Sequence, residues 1–292
     1  MERATRLASL WSWLPAFRAI AEHEHLPSAS AALHVSASSL SRTLRLLEED
    51  VGQRLFDRVG RSLVLNDAGR TLLVSVRFAM RSVHDALTLL GPSSLVGRIT
   101  VHCPAPLAPL YVLPALTKLG VDHPALVPVI RSVQTPQISS ALRQGTIDVA
   151  VAEQAIAADD LTVVELAEIP HAVCCGPGHP LFGRARPSER EIVDHPFVAP
   201  TMLEDGRVPD HWPEARRRKI GLFVTQLQVG LDACKSGVYL AVLPWPVAER
   251  AGLHRLPMRG IRRGTLHAVH RPTLEQEGRT EALVRALLAA HS

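Results

Sequence analysis

Ser38, Ser41, Arg42 and Arg45 fall at i, i+3, i+4 and i+7, a spacing that puts all four on one face of a helix. Two hydroxyls and two guanidiniums side by side suit anionic oxygens, because arginine presents a fixed fork of donors that matches phosphates and base edges. Leu40, Leu44 and Leu47 repeat the same spacing on the opposite face, an apolar stripe that must pack inward. Ser36 stands where an N-cap belongs. The expected partner of this face is double-stranded DNA. Arg42 then meets either a guanine edge, which discriminates sequence, or a phosphate, which only positions. Ser36 and Ser41 are expected to hold phosphates. Further on, Arg58-Val59-Gly60-Arg61 makes a second basic point, and Arg61 suits a narrow minor groove, where negative potential is enhanced. The candidate DNA contacts are therefore Ser36, Ser38, Ser41, Arg42, Arg45, Arg58 and Arg61.

The elements that must position these side chains are legible around them. Leu14, Phe17, Ile20 and Ala21 recur at helical spacing and give a first helix from about residue 14, ending in His23-Glu24-His25. A short second helix runs through Ser28 to Leu33, with the turn at His34-Val35-Ser36. From Gly52 to Leu65, Leu55, Phe56, Leu63 and Leu65 flank the basic tip and read as a two-stranded hairpin. A short helix, a tight turn, a second amphipathic helix and a basic hairpin make a winged helix-turn-helix over 1–65. Asn66 then caps a linker helix over 66–93, in which Leu73, Val76, Met80, Val83, Leu87 and Leu90 alternate spacings of 3 and 4. This seam admits two readings, pairing with a second copy or packing on its own domain. Gly91-Pro92-Ser93-Ser94 ends it.

Beyond the linker the pattern changes to short β-branched runs alternating with helical stretches, the signature of an α/β domain with parallel pairing and right-handed crossovers. Strands are predicted over 99–103, 127–132, 147–152, 172–176, 221–225, 239–243 and 266–270, and helices over 111–119, 138–144, 226–236 and 275–290. A chain of 292 residues has room for two domains. Its net charge of +4 fits a polyanionic partner without requiring one. The 4 cysteines are scattered and form no CxxC pair, which fits a reducing cytoplasm. Pro15 and Arg18 interrupt the apolar run at Leu7 to Leu14, so it is not read as a signal peptide, and no run is long enough to span a bilayer.

Catalysis is the main rival from another class, yet the chain holds no GxSxG elbow, no phosphate-binding GxxxxGK[ST] loop, no GxGxxG and no HExxH. Its 14 histidines are dispersed, and His23 and His25 stand at i, i+2, a poor spacing for chelation from one helical face. No enzyme activity, metal or cofactor is therefore expected. Cys174 and Cys175 lie on a predicted strand, point to opposite faces and read as buried thiols. The run Arg216-Arg217-Arg218-Lys219 reads as a solvated face.

The ordered set Ala31-Ala32-Leu33-His34-Val35-Ser36, Leu40-Ser41-Arg42, Leu47-Glu48-Glu49, Leu55-Phe56-Asp57-Arg58 and Ala68-Gly69 resembles the amino-terminal signature of LysR-type transcriptional regulators. Gly97-Arg98-Ile99, Leu113-Pro114, Gln144-Gly145-Thr146-Ile147-Asp148, Gly178-His179-Pro180-Leu181 and Val242-Leu243-Pro244 extend the likeness to nearly the whole chain from Leu14 onward. The resemblance implies an effector domain over 94–292 of periplasmic-binding-protein type. Subdomain I would span about 97–165 and 267–292, subdomain II about 166–266, with a small-molecule effector between them. It also implies a homodimer through the linker helix, a homotetramer, and control of nearby genes. By the same resemblance Ala105, Leu107, Gln134, Thr135, Thr201 and Val224 are the candidate effector contacts. Two departures stand out. Ala37 and Ser38 replace the usual Gln-Pro after the turn, which removes a side chain able to read adenine. Leu107 stands where a Ser or Thr hydroxyl commonly meets an anionic ligand. A thiol-based redox sensor on the same fold is the alternative, and it needs a reactive cysteine of low pKa.

Overall fold

The computed structural model describes residues 2–59, 62–89, 95–153, 156, 159–203, 206–272 and 278–291. Two compact units emerge, one built on Met1–Leu90 and one on Gly91–Leu142 with Thr146–Ser292.

The first unit opens with α1 (Glu2–His23), followed by α2 (Leu26–Leu33) and α3 (Ala37–Val51). Helix α1 starts well before residue 14 and runs through Pro15. Its extra turns are tied down by Arg6, whose Nε meets Asp50 Oδ2 at 3.0 Å and whose Nη2 donates to Asp50 O at 3.1 Å. Phe17, Ile20, Leu40, Leu44 and Leu47 form the core, as the helical spacing requires. His34 ends α2 in the left-handed region at φ 55°, and Ser36 caps α3 by accepting from Ser39 N at 3.1 Å.

Strands β1 (Phe56–Val59) and β2 (Ser62–Leu65) pair antiparallel, Phe56 opposite Leu65 and Val59 opposite Ser62. Helix α4 (Asp67–Leu89) follows, capped by Asn66 Oδ1, which accepts from Gly69 N at 2.9 Å. Gly69 lets this helix lie against the wing, because a Cβ there would stand 2.2 Å from Leu55 O. The seam of α4 divides. Leu73 and Val76 are buried in the winged-helix core with Met80 packed beside them, whereas Val83 and Leu87 are 46% and 62% exposed. Leu90 lies outside the described residues.

The second unit contains two five-stranded sheets, each with helices or loops on both faces. The first lobe is ordered β4-β3-β5-β12-β6: β3 (Gly97–His102), β4 (Leu126–Arg131), β5 (Val149–Ala152), β6 (Thr162–Ile169) and β12 (Gly264–His270). Strand β3 pairs parallel with β4 and β5, and β12 returns antiparallel between β5 and β6. Helices α5 (Ala108–Tyr111), α6 (Leu113–Asp122) and α7 (Ile138–Arg143) connect its strands.

The second lobe is ordered β11-β7-β10-β8-β9: β7 (His171–Cys175), β8 (Pro196–Pro200), β9 (Lys219–Val224), β10 (Leu240–Pro244) and β11 (His254–Leu256). It carries α8 (Glu189–Asp194), α9 (Leu227–Lys235) and α10 (Trp245–Arg250), and the closing helix α11 (Arg279–His291) packs on α6 of the first lobe. Alternation along buried strands explains the two-sided cores. In β7 Ala172 and Cys174 join one cluster while Val173 and Cys175 join the other, and β10 divides likewise. The chain crosses between lobes after Ile169 and again before Gly264. Strand β6 and the start of β12 belong whole to the first lobe, because they pair with each other along their length.

Candidate nucleic-acid interface and effector cleft

On α3 the residues Ser36, Ser38, Ser41, Arg42 and Arg45 are all exposed, while Leu40, Leu44 and Leu47 are buried behind them. The hydroxyls of Ser36 and Ser38 lie 2.9 Å apart. Arg45 pairs with Glu49 one turn on, Nε to Oε1 at 3.4 Å. Among the described residues, the side chains of Arg42 and the exposed Arg58 on β1 make no hydrogen bond or ion pair. Glu48 Oε1 accepts from Leu55 N at 2.7 Å, and Asn66 Nδ2 donates to Arg54 O at 3.0 Å, so the recognition helix and the start of α4 both grip the base of the wing. Arg61, at the wing tip, lies outside the described residues.

In the second unit a cleft of about 670 Å³ separates the two lobes. Leu107, Thr135 and Val224 line it. Leu107 precedes α5, as expected, but its side chain is 1% exposed and belongs to the core, so it forms an apolar floor. Thr135 opens a short 3-10 turn, Thr135–Gln137, on the rim. Ala105, Gln134 and Thr201 are exposed and stand outside the lining, and the amide of Thr201 is committed to Val224 O at 3.0 Å.

Most of the polar chemistry of the cleft comes from residues that sequence reasoning missed. His102, at the end of β3, accepts from Val133 N through Nδ1 at 3.0 Å, and burial pulls its pKa down to about 4, against a weaker opposing effect of the Arg131 backbone. The ring is neutral near pH 7. Glu153, His171 and His211 meet at the junction of the lobes: His171 Nε2 and His211 Nε2 lie 3.1 and 3.2 Å from Glu153 Oε2. Burial pushes the Glu153 carboxyl up, but hydrogen bonds and charge from His171 and His211 outweigh it and hold the pKa at about 2. A histidine closing or opening a strand at the lobe junction was the signal available, and dispersal in sequence hid it.

The expectation that Arg216 to Lys219 form a solvated face fails at Arg218. Its side chain is 5% exposed, its Nη2 meets Asp210 Oδ2 at 2.6 Å, and its guanidinium lies over the rings of Phe197 and Trp212 at 5.2 and 4.7 Å. Two aromatic faces and one carboxylate replace part of the water it gives up, while Nη1 is buried without a hydrogen-bond partner among the described residues. Arg216 pairs with Glu189 at 2.6 Å at the surface.

All four cysteines are buried as free thiols. Burial pushes Cys103 and Cys234 up to about 12 and Cys175 up to about 11, and it raises Cys174 well above the usual thiol value. Among the described residues, no helix is long and apolar enough to cross a membrane.

Comparison with known proteins agrees with both halves. Residues 11–70 match the family described as bacterial regulatory helix-turn-helix protein, lysR family, and residues 92–292 match the LysR substrate binding domain. A probable hydrogen peroxide-inducible genes activator of Mycobacterium xenopi is 36% identical over 177 residues, 59% of this chain and 93% of that protein. The HTH-type transcriptional regulator DgdR of Burkholderia cepacia is 33% identical over 138 residues, 47% of each chain, so the match spans about half its length. A solved variant of full-length OxyR from Pseudomonas aeruginosa superposes with a TM-score of 0.72 at 18% identity, over 95% of this chain and 93% of that one, a likeness of fold. With an exposed Ser/Arg recognition helix, a hairpin wing and a two-lobed effector unit, each matched in chain order, the chain belongs to the LysR family of transcriptional regulators.

Proposed function

We propose that this chain binds specific DNA sites as a homodimer, assembled further into a homotetramer, and regulates nearby genes when a small molecule occupies the interlobe cleft. The observation that carries the reading is the exposed Arg42 on α3 behind a capped turn, whose side chain makes no hydrogen bond or ion pair among the described residues. An arginine with no internal partner keeps its fork free for a guanine edge or phosphate. Ser36, Ser38, Ser41, Arg45, Arg58 and Arg61 complete the contact set. Leu107, Thr135 and Val224, which line the cleft, are the proposed effector contacts, while Ala105, Gln134 and Thr201 lie outside its lining. Ligand-dependent closure of two lobes couples to promoter occupancy by shifting a pre-existing equilibrium. Such a regulator works in the cytoplasm, where its DNA is.

The test is sequencing of genomic fragments retained by the purified protein at about 150 mM salt, where nonspecific phosphate binding weakens. Enrichment of a few fragments with a two-fold symmetric motif, lost in Arg42→Ala, supports the reading, and no enrichment above that variant overturns it. The exposed end of α4 supports dimerisation, since Val83 and Leu87 offer apolar surface that its own core does not cover. Leu87→Glu is expected to shift sedimentation toward the monomer. The name of the Mycobacterium xenopi relative raises peroxide sensing as a second reading. Buried thiols with raised pKa values weigh against it here, because the thiolate is the nucleophile.

A further inference from the structure

We propose that Glu153, His171 and His211 form a binding site for a divalent first-row transition metal, of which zinc is the representative, and that the ion ties the two lobes of the effector unit together. The three side chains come from separate segments: Glu153 follows β5 in the first lobe, His171 opens β7 and His211 lies between β8 and β9 in the second. Their ligand atoms lie within 4.8 Å of one another. Both imidazole Nε2 atoms stand 3.1 and 3.2 Å from the same carboxylate oxygen. Tetrahedral ligands at bond lengths of about 2.1 Å are separated by about 3.4 Å, so small side-chain adjustments admit the ion.

The hydrogen bonding favours a ligand role. His171 Nδ1 lies 3.1 Å from Ile169 O, within reach to donate its N–H to that carbonyl, while Nε2 faces Glu153 at 3.1 Å. Between that nitrogen and the carboxylate oxygen there is a place for a cation, a proton or a metal ion. An imidazole that donates its far N–H to a backbone carbonyl is also the usual support of a metal-bound histidine. Gly264 supplies room: a Cβ there would stand 2.9 Å from His171 Cε1, 3.1 Å from His211 Nε2 and 3.2 Å from Glu153 Oε2, so any larger residue would press on all three. His211 holds φ at 65°, a left-handed conformation that residues other than glycine seldom adopt.

Two imidazoles and one carboxylate suit zinc and its neighbours rather than calcium or magnesium, and three protein ligands leave a position open. Glu153, His171 and His211 all line the cleft, so an anionic oxygen donor in the pocket can fill that position. The inference rests on the regulator reading only for its consequence, that the ion biases lobe closure.

The experiment uses the full chain, stripped with EDTA, dialysed and titrated with zinc against a chromophoric chelator. One tight equivalent per chain is expected, weakened about 100-fold or more in Glu153→Gln and in His211→Ala. Cobalt at the same site should give a visible spectrum without a thiolate charge-transfer band, since the cysteines are not ligands. Zinc should also raise the thermal midpoint of the wild type and leave that of His211→Ala unchanged, provided the variant melts cooperatively in EDTA. Equal zinc affinity in wild type and both variants overturns the proposal and leaves a proton-bridged cluster. DNA retention by zinc-free protein is read separately, so failure of the metal site and failure of the DNA reading are distinguishable.

Discussion

Two arginines of the winged unit and four of the effector unit differ in what they already hold. On the winged unit Arg42 and Arg58 are exposed and have no internal partner among the described residues. In the effector unit Arg216, Arg218, Arg262 and Arg263 each sit against a carboxylate. A guanidinium committed to an internal anion maintains a fold, whereas one left to water is available to an external anion. Basic composition alone does not separate these roles, since Arg216 to Lys219 is a dense basic run and yet the side chain of Arg218 within it is buried.

The contrast breaks most sharply at Arg218. Asp210→Ala leaves a buried guanidinium with no counter-charge and is expected to cost about 3–5 kcal/mol in urea unfolding of the effector unit. A loss below about 1 kcal/mol would mean that the two aromatic faces suffice. Next comes acidification. His102 is neutral when folded, with a pKa of about 4 against 6.5 unfolded, so the unfolded chain binds more protons between those values. Stability should fall as the pH drops from about 6.5 toward 4, by about 3 kcal/mol in all, and His102→Gln should flatten that limb of the curve.

Arg42→Ala is expected to weaken binding to the preferred site by about 1–3 kcal/mol while leaving unfolding unchanged, as measured by gel retardation and calorimetry. Arg42→Lys should fail to restore it if the contact is bidentate. The smallest effect belongs to Arg263→Ala. Its pair with Glu168 is 70% and 60% exposed, so stability should change by less than about 1 kcal/mol.

The recognition face was legible because everything that defines it lies in helix α3 and the residue before it: a cap, an apolar stripe and its polar reverse. The seam of α4 was legible as a pattern but not as a destination. One run of spacings serves the winged-helix core at Leu73 and Val76 and an open surface at Val83 and Leu87, and periodicity carries no mark of where one role ends. Strands β6 and β8 escaped notice for different reasons. Thr162–Ile169 alternates with Glu165 and Glu168 on its exposed side, and Pro196 and Pro200 bracket β8 like loop residues. The first turns of α1 were hidden by Pro15, which sequence rules treat as a stop. The cluster of Glu153, His171 and His211 had only a faint local signature, a histidine at a strand end, because His211 and Glu153 are 58 positions apart and meet only when the lobes fold together.

Gly69 shows how a single position can set the geometry of a whole unit. A glycine in a helix costs about 0.5–1 kcal/mol relative to alanine, so by helix propensity alone alanine would serve better. Here the smallest side chain would strike Leu55 O, a backbone atom that no rotamer change can move. The angle at which α4 leaves the wing is therefore held by the absence of a methyl group.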